Sequence, residues 1–221
     1  WIVAQGSTSI CFCSAPSGVN VDLSRLGESV VGTTVVEVID PGALYAELME
    51  TLFDFDAIRA LLQSELFAMR FDAMHAVTGP YAAEILVSRL GASPDSLMNC
   101  VPSPNFGGGH PDPNLMHAKQ LVDAVNGSLD IQFGAASDGD GDRNMVLGKG
   151  CYVNPCDSLA IMTANANLLP GYADGLVGVA RSMPTSRAVD RVAARLGIDC
   201  FETPTGWKFF GSLLDAGKIT L

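Results

Sequence analysis

From Phe67 onward the chain repeats one pattern: a short apolar run, a polar or glycine-rich turn, a helix-length stretch, and another short apolar run. Phe67 to Phe71 reads as a strand, Gly79-Pro80 opens a helix that Gly91 closes, and Leu97 to Val101 is a second short strand. A Pro/Gly-rich loop from Pro102 to Pro113 leads into a helix through Val125, and Ile131 to Ala136 is a strand. Met145 to Leu147 and Cys151 to Val153 read as a hairpin pair. After Asn154-Pro155 a helix runs to about Asn167, followed by a strand from Leu176 to Ala180 and a helix from Arg187 to Leu196 closed by Gly197. Cys200 to Glu202 is a strand, Trp207 to Leu214 a helix, and Lys218 to Thr220 the start of a further strand. Strands alternating with helices bury their apolar faces as a mostly parallel or mixed sheet with helices outside, so the expected fold class is mixed-sheet α/β.

Upstream of Phe67 the pattern is looser. Thr34 to Ile39 alternate and are β-branched, which predicts a strand. Pro41 opens a helix with Leu44, Leu48 and Leu52 on one face, and a second helix runs from Asp56 to Leu66 with Asp54 or Asp56 as its N-cap. Residues 1–33 are rich in Ser, Gly and Thr and read as a loose lead-in. The expected organisation is a lead-in over 1–33, one α/β domain over 34–153 and a second, incomplete one over 154–221. A faint echo links Phe67 to Pro102 with Val177 to Pro204, each reading strand, turn, helix, Arg-Leu-Gly, strand, Pro.

Charge narrows the partners. The formal net charge of -11 is spread along the chain, which disfavours a nucleic-acid partner. A phosphorylated substrate would need a cation or a few placed Arg and Lys residues. The six cysteines form no CxxC pair and none stands near a His at zinc spacing, which fits reduced thiols in cytoplasm or plastid. No run of about 20 apolar residues is present to span a membrane. The chain begins at Trp1 and ends at Leu221, and both ends read as breaks in a longer protein.

The chemistry concentrates in Asp138-Gly139-Asp140-Gly141-Asp142-Arg143, directly after an apolar strand. Three carboxylates within five residues repel one another, and both glycines cost backbone entropy. A bound dication removes the repulsion, and the glycines let alternate carboxylates converge on one point. Hard oxygen ligands suit Mg²⁺, Mn²⁺ or Ca²⁺. An EF-hand fails at two positions: with Asp138 first, Arg143 stands where the loop needs Gly and Lys149 where it needs a bidentate Glu. Arg143 beside such an ion could bind phosphate through its planar fork, or could simply balance the carboxylates.

The stretch Asp138 to Lys149, DGDGDRNMVLGK, resembles the metal loop of the α-D-phosphohexomutase family on its phosphoglucomutase branch. So do Phe71 to Tyr81 (FDAMHAVTGPY), Gly108 to Leu115 (GGHPDPNL), Arg181 to Ser186 (RSMPTS) and Glu202 to Phe210 (ETPTGWKFF), in the family's order, so that the resemblance covers about residues 34–221. It implies four domains around a cleft and interconversion of glucose 1-phosphate and glucose 6-phosphate through glucose 1,6-bisphosphate. It implies a phosphoserine donor on the first domain, bridged by Mg²⁺ to the aspartates of the second. Asp138, Asp140 and Asp142 would be those ligands, and Asp142 and Arg143 would face substrate phosphate. Thr205 and Gly206 resemble the sugar-recognition loop of the third domain, and the chain would span the second domain and part of the third.

Two departures stand beside the resemblance. The family's Ser-His-Asn phosphoserine motif is absent from the sequence, although Ser7, Ser9, Ser14 and Ser17 lie in the expected direction. The Cys-Gly-Glu-Glu-Ser sugar loop is also absent. The isolated chain is therefore expected to catalyse little by itself. The rival readings are a phosphohexomutase for another sugar, such as phosphopentose or mannose, and a non-catalytic module that keeps the fold.

Other residues carry weaker signals. His110 reads as shaping a turn, and His75 and His117 as packing or surface groups, since hard cations prefer oxygen. Ser182 and Ser186 lack an adjacent base, and Thr78-Gly79-Pro80 reads as a helix cap. Trp207, Phe209 and Phe210 read as core, with Lys208 a candidate phosphate contact.

Overall fold

A computed structural model describes residues 22–221, so Ser7, Ser9, Ser14 and Ser17 and Cys11 and Cys13 lie outside the described residues. The described chain forms two compact units, one ending at Leu44 and one running from Tyr45 to Leu221. The first contains an antiparallel hairpin, β1 (Gly27–Val31) against β2 (Thr34–Val38), with Val31 opposite Thr34. β2 follows the expected strand. β1 lies in the segment read as lead-in; its five residues are almost wholly exposed, so no apolar alternation marks it.

Helix α1 (Pro41–Leu52) begins at the expected proline, but its leucine stripe faces outward. Leu44, Leu48 and Leu52 are exposed, whereas Ala46 is fully buried. Helix α2 (Phe55–Leu62) is capped by Asp54, whose carboxylate accepts the Ala57 amide at 2.9 Å. It stops at Leu62 rather than at Leu66, which is exposed.

The main sheet of the second unit has five strands: β3 (Met69–Asp72), β4 (Leu97–Met98), β5 (Phe133–Ser137), β6 (Asn144–Gly148) and β7 (Cys151–Val153). Their order is β4-β3-β5-β6-β7. β3 pairs in parallel with both β4 and β5, whereas β5, β6 and β7 pair antiparallel, so the sheet is mixed. β4 is shorter than the expected strand because Asn99 turns left-handed, at φ 52°. Helix α3 (Thr78–Ala82) widens into π-helical turns over Ala83–Arg89, and left-handed Gly91 follows. Helix α4 (Lys119–Gly127) lays Leu121 and Val125 against Met74, Ala136, Met145 and Leu147 to make the core of this layer.

Helix α5 (Ser158–Asn165) leads to the parallel pair β8 (Gly178–Ser182) and β9 (Asp199–Thr203), with α6 (Ala188–Leu196) crossing between them. Val179, Val189, Ala193 and Ala160 close this second core. Both members of the sequence echo are thus parallel strand–helix–strand units whose helices end at left-handed glycines, Gly91 and Gly197. Residues beside Leu221 extend along β8, with Thr220 N donating to Gly178 O at 2.9 Å and Ala180 N to Leu221 O at 3.0 Å.

The last helix, α7 (Trp207–Asp215), has no buried residue. Trp207 is 86% exposed and Phe209 and Phe210 are only partly covered, so the reading of this cluster as core is corrected. The helix follows a pair of only two strands, and none of its residues is fully buried.

Candidate metal centre

β5 and β6 pair up to Ser137 and Asn144, so the six residues 138–143 are the whole connection between two adjacent antiparallel strands. That pairing fixes the loop ends, since Asp138 N donates to Arg143 O at 3.2 Å. Asp138 is 1% exposed and organises the turn. Its Oδ1 accepts the backbone amides of Gly141 at 2.9 Å and Arg143 at 3.0 Å. Its Oδ2 accepts Arg143 Nε at 2.8 Å. Of the two glycines only Gly141 needs its lack of a side chain, which corrects the equal weight given to them on spacing alone. Its φ is +85°, and an added Cβ would lie 2.7 Å from Thr78 Cγ2. At Gly139 a Cβ would make only ordinary contact with Phe106 and Pro111. Thr78 is itself held by Ser137, with the two hydroxyl oxygens 2.6 Å apart. It therefore buttresses the turn, a role beyond the helix cap expected of it.

The turn brings one carboxylate oxygen each from Asp138, Asp140 and Asp142 within 4.8 Å of one another. Asp140 and Asp142 are exposed, whereas Asp138 is buried. Burial opposes ionisation of Asp138, but hydrogen bonds from Arg143 and Gly141 outweigh it and hold its carboxyl below the usual carboxylate range. The charge of Asp140, then burial, then the charge of Asp138 push the Asp142 carboxyl up. Like charges crowded at one mouth are the electrostatic condition that a divalent cation relieves. The all-oxygen donor set suits a hard ion of the Mg²⁺ type. Asp138 has spent part of its acceptor capacity on the turn, yet a carboxylate offers about four lone-pair positions, so an ion can still be bound.

Arg143 is anchored on two sides. Besides Asp138, its Nη1 donates to Asp112 Oδ1 at 2.9 Å, and Asp142 Oδ1 lies 3.7 Å from its Nε. The bond to Asp138, against the cost of desolvation, raises the guanidinium pKa further above its ordinary value. Its side chain remains 63% exposed, so the outer edge of the fork is open to solvent. Asp112, Pro113, Asp142, Arg143, Asn144, Pro155 and Ser158 line one shallow cavity of about 320 Å³. Asp112 was missed as a site residue. The signal lay in the GGHPDPNL stretch, an acidic residue between two prolines, the second of which favours an extended backbone at Asp112.

Thr205 and Gly206 occupy a different loop, between β9 and α7, beside the second sheet rather than the first. Gly206 precedes the helix at φ 135°, and Thr205 is exposed. The structure therefore gathers the three aspartates and Arg143 at one strand connection and sets Thr205-Gly206 in another loop. In the RSMPTS segment Arg181 is buried and pairs with Asp190 and Glu202. Ser182 Oγ bonds Thr185 Oγ1 at 2.7 Å, and Ser186 Oγ accepts the Ala188 amide at 3.1 Å, so both serine hydroxyls are used in the turn. Lys208 Nζ stands 5.3 Å from the centroid of the Phe209 ring.

Comparison with known proteins matches the same segments. The model for phosphoglucomutase/phosphomannomutase alpha/beta/alpha domain II covers residues 43–150, and that for domain III covers residues 155–221. A phosphoglucomutase of Rhizobium radiobacter is 61% identical over 202 residues, covering 91% of this chain and 37% of its own length. A chloroplastic phosphoglucomutase 1 of Marchantia polymorpha is 57% identical over 202 residues, covering 91% of this chain and 31% of its own. Among solved structures, the open form of the exocytosis-sensitive phosphoprotein pp63/parafusin, a phosphoglucomutase from Paramecium, superimposes with a TM-score of 0.82 at 50% identity. That match covers 90% of this chain and 37% of the other. The chain therefore spans between 31% and 37% of the length of these relatives.

Proposed function

Because this chain belongs to the phosphoglucomutase/phosphomannomutase family, we propose that it supplies the metal loop and part of the sugar-phosphate site of a phosphoglucomutase. The observation that carries the reading is the convergence of Asp138, Asp140 and Asp142 at the β5–β6 connection. The proposed reaction interconverts glucose 1-phosphate and glucose 6-phosphate by way of glucose 1,6-bisphosphate and a protein phosphoserine. The second mutase domain is assigned to residues 34–153 and the third-domain segment to residues 154–221. The compartment is cytoplasm or plastid; the Marchantia relative is named as chloroplastic.

In this reading Asp138, Asp140 and Asp142 hold Mg²⁺. The ion supplies charge neutralisation for the transferring phosphoryl group, which needs positioning and electrostatic help more than a covalent partner. The residues of this chain do the rest by placement. Asp138 fixes the turn, so that Asp140 and Asp142 project from one rigid edge of the sheet. Asp112 and Asp138 hold Arg143 from one side and leave its outer edge free for phosphate oxygens. Thr205 and Gly206 are assigned to sugar recognition, Thr205 with an exposed hydroxyl and Gly206 with a backbone that a ligand can approach.

The test is a graft. Residues 43–221, the span of the two family matches, replace the matching segment of the Rhizobium radiobacter enzyme, and glucose 6-phosphate formation is followed from glucose 1-phosphate. The chimera should turn over, and Asp140→Asn within it should cut turnover by about 100-fold or more. A soluble, folded chimera with no activity, or an Asp140→Asn chimera as fast as its parent, contradicts the reading. The isolated chain, without the Ser-His-Asn motif, should show no turnover.

A further inference from the structure

The loop leading into α4 carries a second group of ligand atoms, which the acidic loop does not use. One atom each from His110, Asp112 and His117 lies within 4.8 Å of the others. The two imidazole rings stack, with centroids 4.5 Å apart. Asn114 fixes the arrangement. Its Oδ1 accepts the backbone amides of Met116 and His117, each at 2.9 Å. Its amide nitrogen therefore points to Asp112 Oδ2 at 2.8 Å and to His117 Nδ1 at 3.1 Å. An amide nitrogen can only donate, so His117 Nδ1 is the bare, lone-pair nitrogen. Asp112 Oδ2 and His117 Nδ1 thus face one donor from two sides, 3.8 Å apart. Adjacent ligand atoms around a tetrahedral ion with bonds near 2.0 Å sit roughly 3.3 Å apart, so closing the gap takes about half an ångström.

We propose that His110, Asp112 and His117 form a site for a borderline divalent transition ion such as Zn²⁺, Ni²⁺ or Co²⁺. Ion binding turns the Asn114 amide aside, replaces its bonds to Asp112 Oδ2 and His117 Nδ1, and tilts the two rings out of their stack so that both lone pairs converge. Two imidazoles and a carboxylate are the donor set this class of ion prefers; Mg²⁺ prefers oxygen alone, so the two loops sort ions by hardness. Both rings are exposed and reachable from solvent. They also border a cavity of about 180 Å³ shared with His75, Asn99 and Phe106. Asp112 joins the two loops, since its Oδ1 serves Arg143 and its Oδ2 serves the histidine site. The proposal is independent of mutase activity.

The experiment titrates Co²⁺, followed by visible absorption, and Zn²⁺, followed by calorimetry, into the full chain, Asp140→Asn and the double variant His110→Ala/His117→Ala. Wild type and Asp140→Asn should bind one Co²⁺ with the intense bands of four- or five-coordination. The double variant should lose those bands and bind Zn²⁺ at least tenfold more weakly, with its melting curve unchanged. Should the double variant not fold, His117→Phe keeps a ring against His110 and removes the lone pair, and the same loss is expected. Bands and Zn²⁺ affinity retained in the folded variants, including retention through cysteine thiolates alone, overturn the proposal.

Discussion

Asp112 Oδ1 accepts a hydrogen bond from Arg143 Nη1 at 2.9 Å, tying a proline-flanked loop to an acidic turn 31 residues away. The pair sits at the surface, with the arginine side chain 63% exposed, so its role is orientation more than stability. Asp112→Asn is therefore expected to cost less than about 1 kcal/mol in urea unfolding. In the Rhizobium chimera the same change should raise the KM for glucose 1-phosphate more than it lowers kcat, because a freed guanidinium binds phosphate in more than one orientation. A larger stability loss with unchanged kinetics would mean the contact is structural.

Gly141 should be the least replaceable residue of the turn. Gly141→Ala places a side chain at φ +85° and a methyl 2.7 Å from Thr78 Cγ2. The expected cost is about 1–3 kcal/mol of stability. Thr78→Ser keeps a hydroxyl for Ser137 and removes the obstructing methyl, so adding it to Gly141→Ala should restore part of the loss. Gly139→Ala, which meets only ordinary contacts, should cost clearly less. Chemical denaturation of the three variants checks the order.

The buried guanidinium of Arg181 gives a pH signature. Its hydrogen bonds to Asp190, working against burial, hold the Asp190 carboxyl below the usual range. The native state then binds fewer protons at Asp190 than the unfolded chain does. This contribution is present above the unfolded value, near pH 3.9, and is lost as pH falls through the lower native value. Asp190→Asn should cost about 2 kcal/mol at pH 7. The gap from wild type should shrink as pH drops below about 4 in urea titrations.

Two leucines separate a buried stripe from an exposed one. Leu121 is fully exclusive of solvent, and Leu121→Ala should cost about 2–5 kcal/mol. Leu48, on the outward stripe of α1, is 52% exposed, and Leu48→Ala should stay within about 0.5 kcal/mol. Thermal unfolding of the pair distinguishes them.

Much of the fold was legible because it is written in local signals. Glycines at 91 and 197, Asp54 as a cap and the apolar run of β5 each act within a few residues of themselves. The direction of α1 was not legible, since Leu44, Leu48 and Leu52 make a regular stripe and only the packing of Ala46 shows which side is inner. Trp207 misled for a similar reason: an aromatic cluster reads as core until the sheet beneath it is known to have two strands. In the acidic turn the aspartates stood out by spacing, because local charge crowding needs no tertiary partner. The roles of Asp112 and Thr78 depend on contacts 31 residues away to Arg143 and 59 residues away to Ser137, which no local pattern carries.

The central claim, that the three carboxylates of the β5–β6 turn hold a hard dication, is tested most directly by calorimetric titration of Mg²⁺ into this chain and into Asp140→Asn/Asp142→Asn. One Mg²⁺ should bind the parent with measurable heat, and that heat should vanish in the double variant while its circular dichroism stays unchanged. Equal Mg²⁺ uptake by the two folded proteins contradicts the claim.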